Sequence, residues 1–487
     1  MDHTIPTSLS VPTPPATGPE ETAQAKTAHS SRTATMLVVL TAVFMSLLDV
    51  MIVSVAFPAI ARHFGEANVA KLSWVLNGYA IVFAALLVPS GRWADRVGRK
   101  RLFLSGLALF TGASALCAAA GSVWILVGSR ILQAAGAALL SPAAMGLFLS
   151  EFPPEKRSIA IALFAAVGAT AAGAGAPVGG LLTQISWHWV FLVNLPVGIA
   201  ALAAGTRVLR EIRESSSGPR PDIFGALLFA SGIGFLITEI VKGRDWNWNR
   251  GLMGGYALIA LALLILFVDR SRRHPAPVIE FPILRVRFFA VSNLAALLIA
   301  IAFGSMLLSN VMFLTHVWRS ASWLLGLQLA PGPLTAAAVA LPAGKLCGRF
   351  GQRVVGVAGA VSFAAGSAWW IWHLGPTPHF ITQFLPGSIL VGVGIGLSLP
   401  SVWGAAIASL PPSRLSTGSG ILNMSRQIGL ALGVAILVAI IGNADGPDNL
   451  AQFRYGYLAM ALAALASGVT CLALKRGDLA SSKGESA

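Results

Sequence analysis

From Met36 onward the chain is a succession of apolar runs, each about 20 residues long, divided by short polar connections. Wound as an α-helix at about 1.5 Å per residue, a run of that length crosses the ~30 Å of hydrocarbon in a bilayer. Fourteen such runs can be marked, at 36–57, 72–90, 102–120, 122–148, 158–182, 189–209, 222–241, 252–269, 288–310, 323–345, 353–374, 380–408, 417–441 and 455–474. They are continuous and do not alternate between apolar and polar positions, so they do not read as the strands of a membrane β-barrel. The pattern predicts an all-α polytopic membrane protein with fourteen transmembrane spans. Residues 1–35, rich in Pro, Thr, Ser and Ala and without an apolar h-region, read as a disordered tail rather than a cleaved signal peptide. Residues 475–487 read as a second tail.

An internal repeat organises the spans. Gly91-Arg-Trp-Ala-Asp-Arg-Val-Gly-Arg-Lys100 follows span 2, and Gly344-Lys-Leu-Cys-Gly-Arg-Phe-Gly-Gln-Arg353 follows span 10, so that Gly91, Arg96 and Gly98 return as Gly344, Arg349 and Gly351. Gly136 and Pro142 of span 4 are echoed by Gly394 and Pro400 of span 12. The expected organisation is a six-helix half over 36–209, two linker spans with their loops over 210–287, and a second six-helix half over 288–474. Two repeated halves are the plan of a secondary transporter whose site lies between them.

Composition agrees with the pattern. Charged residues make up 11% of the chain, against about 25% in soluble domains. Apolar residues make up 55%, and the mean hydropathy is +0.75. These values exclude a cytosolic enzyme, a disordered protein and a nucleic-acid binder. The net charge of +15 is a matter of topology: with the N-terminus inside, the inner tails and loops hold 25 Lys and Arg and the outer loops 7. The positive-inside rule then places both termini in the cytoplasm. Trp187, Trp189, Trp246, Trp248, Trp318, Trp369, Trp370 and Trp372 fall at the outer ends of spans, where an interfacial aromatic belt is expected. Three cysteines without a CxxC spacing, and eight histidines without ligand spacing, give no disulfide framework or metal site. There is no GxxxxGK[ST], HExxH or paired carboxylate, so the chain reads as a non-enzyme without cofactor, driven by an ion gradient rather than ATP.

Charges inside spans cost roughly 2.5–3.5 kcal/mol each on insertion scales and so call for a reason. Asp49 lies in span 1, Arg130 in span 4 and Arg426 in span 13. Asp49 suits a proton carrier, a permanent partner of an arginine, or a substrate contact. Arg130 and Gln133 share a face with Ala134 and Ala137, suited either to modulating the carboxylate or to clamping helices. Asn423, Arg426 and Gln427, at i, i+3 and i+4, suit a substrate cavity or helix packing, and no acidic residue in spans 9–14 is available to Arg426. With Gln133 they form the candidate cavity set. Glu239, close to Lys242 and Arg244, reads as a solvated interfacial residue. The segment with Gly91, Asp95, Arg96, Gly98 and Arg99 suits a cytoplasmic gate that latches helix ends in one state. Gly175, Pro177, Gly179 and Gly180 crowd span 5, where small residues favour close helix contacts.

These segments resemble the major facilitator superfamily, in particular its fourteen-span drug:proton antiporter family, the EmrB/QacA-like exporters. Leu48-Asp-Val-Met-Ile-Val-Ser-Val-Ala-Phe-Pro58 is similar to the first-span motif LDxTIVNVALP, and Gly91 to Leu102 to motif A. Arg130 to Ala138 resembles motif B, RxxQGxGAA, with Ala134 for Gly. Gly175-Ala-Pro-Val-Gly-Gly180 resembles the antiporter motif GPxxGG with its proline displaced. Ser186 to Pro196 follows SWRWIFxxNLP with His188 for Arg, and the segments 277–289 and 423–429 resemble further family signatures. The resemblance implies alternating access with export coupled to proton entry. It implies that Asp49 and Arg130 take part in proton coupling, and that Asp95 and Arg96 belong to the gate. The expected function is proton-coupled efflux of hydrophobic or amphiphilic small molecules from a bacterial cell membrane, for which a monomer suffices. An uncoupled facilitator or importer of a small metabolite is the alternative on the same fold.

Overall fold

The computed structural model describes residues 19–65, 68–153, 157–213, 219–411, 414–442 and 450–474. Among these residues every regular element is helical, and fourteen helices are long and apolar enough to cross a membrane. They are α1 (Pro19–His63), α2 (Val69–Val97), α3 (Arg99–Ala118), α4 (Val123–Ser150), α5 (Arg157–Ile185), α6 (Trp189–Val208) and α7 (Ile223–Lys242). The series continues with α8 (Arg250–Arg273), α9 (Arg287–Val317), α10 in two pieces (Ser322–Leu329 and Pro331–Phe350) and α11 (Gln352–His373). It ends with α12 (Phe380–Ala408), α13 (Leu415–Ile441) and α14 (Leu450–Leu472). Each expected span falls on one of these helices. The tail expected over 1–35 is shorter at its inner end: residues 1–18 lie outside the described residues, and α1 begins at Pro19, whose fixed φ suits a first helical turn. The second tail, 475–487, also lies outside the described residues.

The repeat is visible in the packing. Helix α3 packs on α4, α2 on α4, α1 on α5, and α3 and α1 on α6. The same pairs recur eight helices later as α11 on α12, α10 on α12, α9 on α13, and α11 and α9 on α14. In hydrocarbon the helices gain nothing from leaving lipid, so close approach at small residues drives their association. At the α3–α4 crossing a methyl group on Gly106 would come within 2.7 Å of the Leu140 backbone nitrogen. At the α11–α12 crossing one on Gly359 would come within 2.8 Å of the Ser398 backbone nitrogen. Gly98 and Gly351 link α2 to α3 and α10 to α11 with φ of 114° and 85°, a region open chiefly to glycine. The inserted pair, α7 and α8, packs together, and α7 lies against both α2 and α13 at the seam between the two sets of six.

The helices alternate in direction, so one end of the bundle carries Arg92–Arg101 and the other carries Trp187. These are called here the arginine-rich end and the tryptophan end. The expected belt holds only in part. Trp372 is 79% exposed, and Trp189 and Trp248 are also exposed. Trp187, Trp318 and Trp370 are buried instead. Trp318 donates to the Gly375 carbonyl in the connection between α11 and α12, and Trp370 donates to that of Phe384, the last residue of the π-helical turn Phe380–Phe384 at the start of α12.

Candidate functional site

Helix α1 brings Asp49 to the centre of the first six helices. Two hydroxyls near it turn back on the same helix, Ser46 donating to Val43 O and Ser54 to Val50 O. The carboxylate is left to bond across to other elements. Arg130 of α4 donates to its Oδ2 at 2.5 Å, while Gln133 of α4 and Asn194 of α6 donate to Oδ1 at 3.0 and 2.9 Å. Ser114 of α3 accepts from Gln133 at 2.7 Å and from Asn194 at 3.3 Å. Arg130 also donates to Gln133 Oε1 and to the Val75 carbonyl of α2, and its guanidinium lies 4.2 Å from the centre of the Tyr79 ring. Asp49 is 0% and Arg130 1% exposed, and Gln133, Asn194 and Ser114 are buried with them.

The cluster therefore joins five helices and excludes solvent. A buried ion pair lasts only when its remaining lone pairs and protons find partners, and here the carboxylate accepts three hydrogen bonds and the guanidinium gives three. Beside the pair, Asn194 Oδ1 is shut off from solvent and has no hydrogen-bond partner among the described residues.

Gln133, grouped by its sequence with the cavity residues, belongs to this cluster and is far along the fold from Asn423, Arg426 and Gln427. Those three share a face of α13. Asn423 and Arg426 are half-buried, Gln427 is 6% exposed, and among the described residues none of the three has a hydrogen-bond or ion-pair partner. Their neighbour Ser425 does, donating to Asn293 of α9. Glu239 departs from the reading as a solvated residue. It is half-buried, and its Oε2 is enclosed without a partner, because α7 lies in the seam rather than at the rim.

The glycines of α5 meet two partners. Gly175 faces Met51 and Gly179 faces Ile52 and Val55, all on α1. Gly180 faces the other six helices, where a methyl group would approach Gly326 of α10 to 3.1 Å. Pro177 backs onto the same glycine. The halves are thus in backbone contact at the tryptophan end of this seam. The crevice just inside, bordered by Met51, Ser54, Met306, Asn310, Trp370 and Ser388, has a volume of about 40 Å³, far below the ~300–1,000 Å³ of a drug-sized site.

At the arginine-rich end, Asp95 pairs with Arg99 at 3.1 Å, one turn on. Arg99 in turn covers Gly146 of α4, and Gly91 lies against Pro142. Gly98 sits under the Glu211 carboxylate, which accepts from the backbone nitrogens of Lys100 and Arg101 at 3.0 and 3.2 Å and so caps α3. Arg92 reaches the connection ahead of α9, pairing with Glu280 at 2.6 Å and bonding the Pro277 carbonyl. Arg96 lies half-buried on the same turn. The repeat of this segment has Gly348 in the place of Asp95, and Gly344, Gly348 and Arg349 are exposed.

Asn194, Ser114, Tyr79, Glu211 and Glu280 are the residues that sequence reasoning passed over. Asn194 had a signal, since it is the amide within the Asn194-Leu-Pro196 segment already singled out.

The family model described as Major Facilitator Superfamily matches residues 39–315 and 319–486. The chain is 31% identical over 445 residues to the cephamycin export protein of Amycolatopsis lactamdurans, covering 88% of this chain and 90% of that one. It is 30% identical over 431 residues to the probable actinorhodin transporter of Streptomyces coelicolor, with 86% and 74% covered. It is 31% identical over 407 residues to the puromycin resistance protein of Streptomyces alboniger, with 82% and 80% covered. Among solved structures, a POT family transporter with a bound thioalcohol-conjugated peptide superposes with a TM-score of 0.64 at 15% identity, over 89% of this chain and 94% of that one. An inward-facing bacterial homologue of the human lysosomal transporter Spinster gives a TM-score of 0.62 at 16% identity, over 91% and 95%. These structural likenesses speak to the fold alone.

Proposed function

The chain belongs to the Major Facilitator Superfamily, and from that premise we propose that it exports lipophilic small molecules across the cell membrane in exchange for protons, with its arginine-rich end in the cytoplasm. The family is one of transporters, and relatives named for antibiotic export or resistance align over most of this chain. The single observation that supports proton coupling is the Asp49 cluster. Three donors, one of them a guanidinium, converge on a carboxylate that is fully buried.

Protonation of Asp49 removes the charge that holds Arg130 and turns an acceptor into a donor. Arg130 then has Gln133, Tyr79 and the Val75 carbonyl, but no counter-ion, and the contacts that α1, α4 and α6 make through the carboxylate weaken together. The six-helix units 36–209 and 288–474 rock about the seam, with 210–287 between them. At the tryptophan end they part where Gly180 meets Gly326. At the arginine-rich end the Arg92–Glu280 pair ties the first unit to the connection ahead of α9, beside the capped turn at Gly91–Arg99, in which Asp95, Arg96 and Gly98 take part. Loss of the proton to the cytoplasm restores the Asp49–Arg130 pair. Asn423, Arg426 and Gln427 form the polar wall of the substrate path. One chain supplies both halves, so a monomer is the working unit.

The test uses everted membrane vesicles with an acidic lumen and a panel of lipophilic compounds, following lumenal pH. A compound that drains the gradient with the native protein and not with Asp49→Asn is the expected result. Drainage that persists in Asp49→Asn removes Asp49 from the mechanism. Flux of the compound that ignores the gradient replaces antiport with the facilitator reading.

A further inference from the structure

The charged residues deep in the spans have partners, with Arg426 outstanding; Glu239, near the tryptophan end of α7, is a second charge, whose Oε2 has no partner among the described residues. Asp49 and Arg130 have each other. Asp222, which caps the start of α7, holds Arg270 of α8 at 2.7 Å. Arg426 has nothing. It lies eleven residues into α13, about 16 Å along the helix axis at 1.5 Å per residue, and so near the middle of the membrane. No acidic residue occurs between Glu280 and Asp445, and Asp445 follows the end of α13.

The elements packed on α13 carry no carboxylate at this depth either. Helices α9 and α14 have no acidic residue, and α7 has Glu239 only, near the tryptophan end. On α2 the sole acid is Asp95, at the arginine-rich end and engaged with Arg99. Helices α2 and α13 run antiparallel, with Gly420 opposite Val88. Six residues further along α13 therefore brings Arg426 to the level of Val82 and Phe83. The Phe83 ring stacks on Tyr79, with centroids 6.0 Å apart and planes inclined by 10°. Beside Arg426, Asn423 and the nearly buried Gln427 offer amides without a hydrogen-bond partner among the described residues.

A membrane helix seldom carries one unpaired guanidinium and two unpaired amides on one face. Such groups look into a path for a polar ligand, and the partner a guanidinium lacks is an anion. We infer that Arg426, with Asn423 and Gln427, binds the acidic group of an anionic amphiphile, whose apolar or aromatic body lies along α2 at Val82 and Phe83. The inference rests on the efflux reading and names the class of compound it carries: carboxylates, sulfonates or acidic phenols attached to a lipophilic frame. Lipid headgroups lie at the membrane surface, about half a bilayer from Arg426, so the occupant is a free amphiphile.

A matched pair of probes tests this without knowledge of the natural cargo. 1-Anilinonaphthalene-8-sulfonate and N-phenyl-1-naphthylamine share one aromatic frame and differ by the sulfonate. Binding of each is read by fluorescence titration of the full chain in phosphatidylcholine nanodiscs, against empty discs. The expected result is tighter binding of the sulfonate than of the neutral amine by roughly tenfold to a hundredfold, the worth of a charge-assisted hydrogen bond. Arg426→Gln should abolish that preference while leaving the amine unchanged, and Arg426→Lys should keep most of it. Thermal unfolding of both variants shows that they are folded. A native protein that does not prefer the sulfonate, whether it binds both probes or neither, overturns the assignment, as does an unchanged preference in a folded Arg426→Gln. The efflux reading fails by a different result: sulfonate binding that depends on Arg426 in a protein that moves no solute.

Discussion

Near the middle of the membrane, α1 and α13 each carry a charged residue, and the molecule houses the two in opposite ways. Asp49 is enclosed by Arg130, Gln133 and Asn194, with Ser114 bonding the two amides in turn. Arg426 stands half-buried between two amides that, like it, have no partner among the described residues. The two halves are otherwise built alike, down to the glycines at which α5 meets α1 and α13 meets α9: Gly175 and Gly179 in the first, Gly429 and Gly433 in the second. The difference fits two tasks. A group that exchanges a proton needs a fixed set of partners against which one proton changes the balance. A group that receives cargo has to be left without a partner until the cargo arrives.

The comparison can be broken most forcefully at the enclosed site. Asp49→Ala leaves the Arg130 guanidinium buried and uncompensated, which costs about 3–5 kcal/mol. The expected outcome is a steep fall in folded yield or melting temperature in detergent, largely restored by pairing it with Arg130→Met; a variant as stable as the native protein would sink the account of the cluster. The open site should respond with the opposite sign. Arg426→Leu removes an unpaired charge from the membrane and should raise stability by about 1–3 kcal/mol. A drop of that size in scanning fluorimetry would mean that Arg426 holds the fold together.

Smaller effects sharpen the picture. Asn194→Ala deletes one of three donors to Asp49 and should lower stability by roughly 1–2 kcal/mol. It should also move the pH profile of flux, whereas a residue that merely packs would lower flux equally at every pH. Glu280→Gln breaks a half-exposed pair with Arg92 and should cost no more than about 1 kcal/mol, an amount that fades as salt rises. A large effect that ignores salt would show that the contact is something other than an ion pair.

The helices were legible in the sequence because hydrocarbon leaves so few options. Every backbone amide must be satisfied within its own segment, and any charge stands out against apolar neighbours. Asp49, Arg130 and Arg426 were found in this way. Spacing along one helix does not say which neighbour a face meets, so Gln133, on the same turn as Arg130, was grouped with the cavity residues although it bonds Asp49. Neutral residues gave less warning still. Ser114 and Asn194 matter because α3 and α6 bring them to one carboxylate, and nothing local to either reveals it. The tryptophans were misread for a related reason. Trp318 and Trp370 sit at span ends, as belt residues do, but neighbouring backbone carbonyls, Gly375 in a connection and Phe384 at a helix start, hold them inward.

The stretch without a single acidic residue between Glu280 and Asp445 also has an electrical consequence. If the cargo is a monoanion leaving as one proton enters, each turnover moves two elementary charges in the direction favoured by a membrane negative inside. Every 100 mV of membrane potential then contributes about 4.6 kcal/mol, at about 2.3 kcal/mol per charge. That corresponds to roughly three powers of ten in concentration ratio. The same one-for-one exchange with a monovalent cation moves no net charge and draws nothing from the potential. An anionic cargo, the class proposed for Arg426, is thus the one whose export by proton exchange the cell's voltage would drive hardest.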